Sequence, residues 1–312
     1  LVSFSFTGPI IGTLLVETAT GNGPTLGGKI PVGPLVGMLG FSVALALPFG
    51  LFAAFPSWLN SLPKSGSWMN SVKVTLGFVE LALAMKFLSV ADLTEGWKIL
   101  PYELFLGIWI LCALGLAAYY FGLIRFPHDS PLKQIGTVRG VLGTLALGLA
   151  IYFALGFRYS EQAGTFDTPA VLSGLAPPAG HSYIYPSECP LNIDCFKDFE
   201  TGLAYAKKQA KPILLDFTGH GCVNCRKMED QVWGKQGVYS LIKDEYVLVS
   251  LYVDDREKLE EPYISTFDGK KKRTIGNKWA DFQAKYFDRQ SQPYYVLLSP
   301  DGTVLNKPKA YT

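Results

Sequence analysis

Apolar residues run in long, nearly uncharged blocks through the first half of the chain and in short, punctuated blocks through the second. Residues 30–55, 104–124 and 140–157 contain no Asp, Glu, Lys or Arg. Each is long enough, at about 20 residues, to cross a hydrocarbon core as a helix. Residues 72–90 form a fourth block with Glu80 near its middle and Lys73 and Lys86 near its ends. Lysine stems can snorkel to the interfaces, whereas a mid-span carboxylate cannot, so Glu80 is expected to face the bundle interior or a water-filled cavity. Residues 1–16 are a shorter block broken by Thr7, Gly8 and Pro9, and Pro48 is expected to kink the second block. Gly115, Ala117, Ala118, Gly143 and Gly148 would let helices approach closely. The pattern predicts about five spans, and the chain opens inside an apolar run with no initiating Met or signal peptide, as a fragment or processed chain would.

After residue 157 the pattern changes. Residues 158–190, with Pro169, Pro177, Pro178 and Pro186 and no sustained period, read as a linker. Phe199, Leu203 and Ala206 recur at helical spacing and predict a helix over 198–209, stopped by Pro212. Strands are predicted at 213–217 and 246–253, a helix at 222–233, and another near 278–287 after a charged insertion. A hairpin is predicted from 294–298 and 303–305 around Pro300, Asp301 and Gly302. Within the insertion, residues 270–273 read as a solvated basic loop. No internal repeat or low-complexity tract interrupts this order.

Charge follows the same division, since only 14 of the 54 Asp, Glu, Lys and Arg residues fall in positions 1–157. One part suits lipid and the other water. A net charge of +2 argues against a strongly basic nucleic-acid binder. If the chain starts on the cytoplasmic side, Lys64, Lys73, Arg125, Lys133 and Arg139 lie inside against Lys29 and Lys98 outside. That bias sends the part after residue 157 to the outside, which in a bacterium is the periplasm.

Five cysteines are too few for a disulfide scaffold, but Cys222 and Cys225 form a Cys-x-x-Cys pair between a buried-looking strand and a helix. A thiol at a helix start faces unpaired N–H groups and the positive end of the helix dipole, which favours its thiolate. Cys222 is so placed and reads as the attacking thiol; Cys225, one turn on, reads as the buried resolving thiol. Asp216, inside an otherwise apolar strand, should have a raised pKa and could move the exchange proton. Pro293 opens a strand where a cis peptide would bring backbone groups to the sulfurs. Arg226 and Lys227 read mainly as a solvated helix face, His220 as a surface loop residue, and Cys112 as a small buried hydrophobe. Cys189 and Cys195 lie close enough in sequence for a disulfide. A zinc or copper site remains the alternative, with Cys222, Cys225, Cys189, Cys195, His181 and His220 as ligand candidates. A transporter-like membrane domain carrying a redox sensor is a further one, in which Glu80 would matter more than the thiols.

The run from Asp216 to Met228, Asp-Phe-Thr-Gly-His-Gly-Cys-Val-Asn-Cys-Arg-Lys-Met, resembles the C-terminal part of the thiol:disulfide interchange protein DsbD family. Ser5-Phe6-Thr7-Gly8-Pro9 and Leu62-Pro63-Lys64-Ser65-Gly66-Ser67-Trp68-Met69 resemble that family's membrane core. The resemblance implies an all-α membrane helical domain at 1–157, a linker at 158–190 and an α/β thioredoxin-like domain at 191–312. It also implies a protein-disulfide reductase of the inner membrane, multi-pass, with its C-terminal domain in the periplasm. Cytoplasmic thioredoxin would be the electron donor, and periplasmic disulfide-bearing proteins, cytochrome c maturation included, the acceptors. No cofactor, metal or nucleic acid is implied, and the site would be Cys222, Cys225, Asp216 and Pro293. Three departures stand out. Five spans are expected here against the family's eight, which leaves out its first intramembrane cysteine and N-terminal domain; Phe6 occupies the place of its second membrane cysteine; and Gly221 stands where thioredoxins usually have Trp. The chain also ends at Thr312, before the helix that normally closes a thioredoxin fold.

Overall fold

The computed structural model describes residues 67–311 apart from 128 and 130–133, together with 25–26, 30–31 and scattered positions between 36 and 54. Phe6, the block at 1–16, most of the block at 30–55 and most of the motif at 62–69 lie outside the described residues. The chain divides into two compact units, residues 1–80 with 125–133 and residues 81–124 with 134–312. In the first, β1 (Thr25–Leu26) pairs antiparallel with β2 (Ile30–Pro31).

Three helices among the described residues are long and apolar enough to cross a membrane. They are α1 (Ser67–Glu95), α2 (Tyr102–Tyr120) and α3 (Thr137–Ala154), matching the blocks at 72–90, 104–124 and 140–157. Glu80 in α1 is half-buried, and its Oε1 is covered by protein with no hydrogen-bond partner among the described residues. Cys112 is free and buried in α2. Gly143 of α3 lies so close to Phe121 that a Cβ there would stand 3.0 Å from the ring, so the small residue sets how near α3 comes.

Residues 158–190, read from composition as a linker, are packed. They form β3 (Tyr159–Ser160) and β4 (Thr165–Phe166) and bury Phe166, Leu172 and Ala176 against Tyr102, Phe105 and Leu106 of α2 and Phe153 of α3. Two carboxylates at helix ends fasten the segment. Asp92 accepts from Ile99 N at 2.8 Å, Leu100 N at 3.1 Å and the His181 ring at 2.9 Å. Glu103 accepts from the backbone N–H groups of Tyr183 and Ile184, each at 3.1 Å. The prolines end regular structure here but leave enough apolar side chains to fill a surface, which composition alone does not reveal.

The C-terminal part is a mixed five-stranded sheet in the order β11-β10-β6-β7-β5. Its strands are β5 (Cys195–Phe196), β6 (Ile213–Thr218), β7 (Val247–Tyr252), β10 (Tyr294–Leu298) and β11 (Lys309–Ala310). β5, β6 and β7 are parallel, whereas β10 runs antiparallel to β6 and β11. The hairpin expected around Pro300 is a tight one: Leu298 bridges Val304, with Ser299 N donating to the Thr303 carbonyl at 2.8 Å and Leu305 N to that of Leu297 at 2.9 Å.

Helices cover both faces. On one, α4 (Phe199–Gln209) and α7 (Ile275–Phe287) pack Phe199, Leu203, Trp279 and Phe282 against Ile213, Leu215, Phe217, Val249 and Leu251. Asp198 caps α4 by accepting from Thr201 N, and Thr274 caps α7 by accepting from Asn277 N. On the other, α5 (Val223–Met228), continued by a π-helical turn over Glu229–Trp233, and α6 (Gln236–Glu245) place Trp233 and Ile242 over Leu214 and Leu248. The charged insertion holds β8 (Lys258–Ile264) and β9 (Lys271–Thr274), so the expected basic loop is a strand, with Lys271 and Arg273 exposed and Lys272 paired with Asp268 and Asp281.

Gly276 opens α7 against the chain leaving β7. A Cβ there would stand 2.6 Å from the Asp255 carbonyl oxygen and 2.7 Å from that of Val253, both backbone atoms that cannot turn aside. Gly276→Ala is therefore expected to destabilise the domain by about 1–3 kcal/mol, read as a lower Tm in circular dichroism melts of the full chain.

Candidate active site

Strand alternation decides which side of the sheet carries the chemistry. Ile213, Leu215 and Phe217 point to the α4–α7 face, so Leu214 and Asp216 point to the α5 face. Register puts Asp216 opposite Ser250 of β7 and Tyr295 of β10. Asp216 is 1% exposed, and the row it heads lies beneath α5.

Beyond Thr218 the chain turns through residues 219–221 into α5. Asp254, just past the end of β7, holds this turn by accepting from His220 N at 2.8 Å and Gly221 N at 2.9 Å. Gly219 sits in a crowded turn, where a Cβ would meet the side-chain oxygens Gln292 Oε1 at 2.5 Å and Asp254 Oδ2 at 2.9 Å. His220 is half-buried rather than on the surface as expected: its ring stacks on Tyr252 at 4.3 Å, with Nε2 3.9 Å from Asp255.

Cys222 is the N-cap of α5 and is joined to Cys225 in a disulfide, Cα atoms 5.3 Å apart. Its Sγ accepts from Cys225 N at 3.1 Å, so the sulfur sits where the helix offers an unpaired donor. Cys225 is 1% exposed while Cys222 is half-buried. An incoming sulfur can reach only the first without moving the helix. Gln292–Pro293 is a cis peptide, and the pairing of Tyr294 with Phe217 sets Pro293 at the end of β6 from which the turn to Cys222 leaves. Among the four site residues read from sequence, Asp216, Cys222, Cys225 and Pro293 thus all fall at one end of the β6–β10 pair.

The structure corrects the reading of Arg226. It is 4% exposed, and Nη2 donates to Glu229 Oε1 at 2.7 Å and to Thr218 Oγ1 at 3.3 Å. Burial opposes its charge, but the facing Glu229 carboxylate and its neighbours more than restore it. Burial pushes the Asp216 carboxyl up to about 7, with the Arg226 guanidinium and the Ser250 hydroxyl pulling the other way. Burial raises Glu229 as well, but the Arg226 guanidinium 2.7 Å away opposes it, and the facing charges hold that pair ionised. Asp216 Oδ1 has no hydrogen-bond partner among the described residues, as suits a group that exchanges a proton. Sequence reasoning missed Arg226, Glu229 and Asp254. For the first two a signal existed: Cys225, Arg226, Glu229 and Trp233 follow i, i+3, i+4 spacing and share one helix face, so whatever buries Cys225 also buries Arg226 and Glu229.

Cys189 and Cys195 form the second disulfide, as their spacing suggested, with Cα atoms 5.8 Å apart. The four candidate cysteine ligands are thus joined two and two, their sulfurs committed to disulfides.

A family model described as a thioredoxin-like domain matches residues 199–311. The chain is 30% identical over 200 residues to the thiol:disulfide interchange protein DsbD of Pseudoalteromonas atlantica, covering 62% of this chain and 29% of that protein. The protein of that name from Vibrio cholerae is 30% identical over 223 residues, 72% of this chain and 31% of its own length. That from Campylobacter jejuni is 25% identical over 248 residues, 79% and 37%. The chain therefore matches about a third of the length of these relatives.

Proposed function

We propose that this chain, which belongs to the thiol:disulfide interchange protein DsbD family, is a membrane-anchored protein-disulfide reductase that carries electrons to disulfide-bearing proteins outside the cytoplasm. The observation that carries the reading is the Cys222–Cys225 disulfide at the start of α5, with Cys222 half-buried and Cys225 buried.

In the delivering direction the Cys222 thiolate attacks a sulfur of the partner's disulfide and that disulfide breaks. Cys225 then loses its proton to Asp216 and attacks Cys222, closing the internal disulfide and releasing the partner as a dithiol. The partner gains two electrons and the chain gives up two. Reloading is the reverse, with a donor dithiol oxidised. Cytoplasmic thioredoxin as donor, and acceptors that include the cytochrome c maturation machinery, are part of the same proposal, in keeping with the family resemblance. The inner-membrane position with residues 191–312 in the periplasm is supported by the three membrane-length helices and the lysine and arginine bias. Because Phe6 has no thiol, transfer from cytoplasmic thioredoxin to Cys222 is expected to need a cysteine at that position.

Sidedness is the testable part. In intact spheroplasts reduced mildly with dithiothreitol, a membrane-impermeant maleimide should label Cys222. Labelling that appears only after lysis would place the domain in the cytoplasm and end the proposal.

A further inference from the structure

We propose that Arg226 is a positioning residue for the exchange reaction, its buried guanidinium acting through the two carboxylates it faces, Glu229 and Asp216. The inference rests on the reductase reading above and adds a residue to it. Arg226 follows Cys225 directly, with Nη2 bonded to Glu229 and to Thr218, which lies two residues beyond Asp216 on the same strand and so on the same face of the sheet. The groups that face it are Glu229 and Asp230 from its own helical stretch, Asp216 from β6, Tyr252 from β7, Tyr295 from β10 and Lys86 from α1. Three carboxylates thus share one guanidinium away from water, where charge–charge interactions are far stronger than at a surface.

This arrangement divides the work between the two nearest acids. Glu229 is tied to Arg226 by a short, charge-assisted contact, whereas Asp216 keeps an unpartnered oxygen and only a long contact of 3.5 Å from the Ser250 hydroxyl. Arg226 opposes the effect of burial on both, so it governs the pH at which Asp216 becomes able to take the proton of Cys225. Loss of the guanidinium should move that pH upward. Loss of Glu229 should move it downward, because Arg226 then faces Asp216 with one competing carboxylate fewer. A residue that merely filled space would not give two shifts of opposite sign.

The test uses the full chain in detergent micelles, reduced with dithiothreitol, desalted and mixed with oxidised glutathione. Protein dithiol and glutathione disulfide become protein disulfide and two glutathione thiols, so atoms and electrons balance. Acid quenching, alkylation and mass spectrometry of the peptide containing Cys222 and Cys225 give the rate from pH 5 to 9. Arg226→Met should shift the acidic limb upward by about one pH unit, making exchange about tenfold slower at the low end of that range. Arg226→Lys should return the limb most of the way to wild type, and Glu229→Gln should shift it downward. Identical limbs in wild type and Arg226→Met, or Glu229→Gln moving upward or not at all, would overturn the proposal. If Arg226→Met does not fold, the Glu229→Gln and Arg226→Lys profiles decide. A wild-type chain that does not exchange with glutathione at any pH would sink the reductase reading itself, a different result from an unshifted limb.

Discussion

Cys225→Ala is expected to accumulate a mixed disulfide between Cys222 and its partner, and Cys222→Ala to lower exchange on the order of a thousandfold or more. The asymmetry comes from burial. Cys222 caps α5 with its sulfur half-buried, whereas Cys225 is sealed inside the helix face. Attack from outside must therefore begin at Cys222, and only Cys225 is close enough to resolve the adduct. Without Cys225 the adduct persists; without Cys222 none forms. Non-reducing gels and mass spectrometry of chain incubated with an oxidised peptide read both outcomes. An adduct through Cys225 in the Cys222→Ala chain would reverse the assignment.

Asp216→Asn is expected to stabilise the oxidised chain at neutral and higher pH while slowing exchange. Burial raises the folded-state value of Asp216 to about 7 from an ordinary value of 3.8. Between those values the folded state holds a proton that the unfolded state has lost. The benefit of the buried neutral acid is complete below the lower value and is lost as pH rises through the upper one. At pH 8 the native protein carries a buried, poorly bonded carboxylate, and removing it should add on the order of 2–4 kcal/mol to stability. The gain should fade toward pH 4, where Asp216 is neutral in both states. Over the same range Cys225 lacks its proton acceptor, and general-base assistance of about a hundredfold would be lost. Urea unfolding at pH 4 and pH 8, paired with exchange rates, checks both halves. A variant less stable than wild type at pH 8 would show that Asp216 serves packing alone.

Much of this was legible in the sequence because its signals are local. Apolar blocks of membrane length give α1, α2 and α3, and apolar runs bounded by turn residues give β6, β7 and β10. The Cys-x-x-Cys pair, Asp216 and Pro293 each stand out within a few neighbours. What escaped depends on long-range packing. Whether Arg226 meets water or Glu229 depends on the sheet beneath it, and Asp254 serves the Cys222 turn only because β6 and β7 are parallel neighbours ending at the same level. Residues 158–190 were opaque for the same reason: their apolar residues have no period, and their partners are the ends of helices far away in sequence.

The central claim, that Cys222 and Cys225 are a working redox couple and not a structural bridge, is tested most directly by redox equilibrium of the full chain in graded dithiothreitol buffers. Thiol alkylation and peptide mass spectrometry report each cysteine separately. The account predicts one reversible two-electron transition of Cys222 and Cys225, the same from the oxidised and the reduced side, in a chain that stays folded throughout. A Cys222–Cys225 bridge that resists dithiothreitol until the domain unfolds would contradict it.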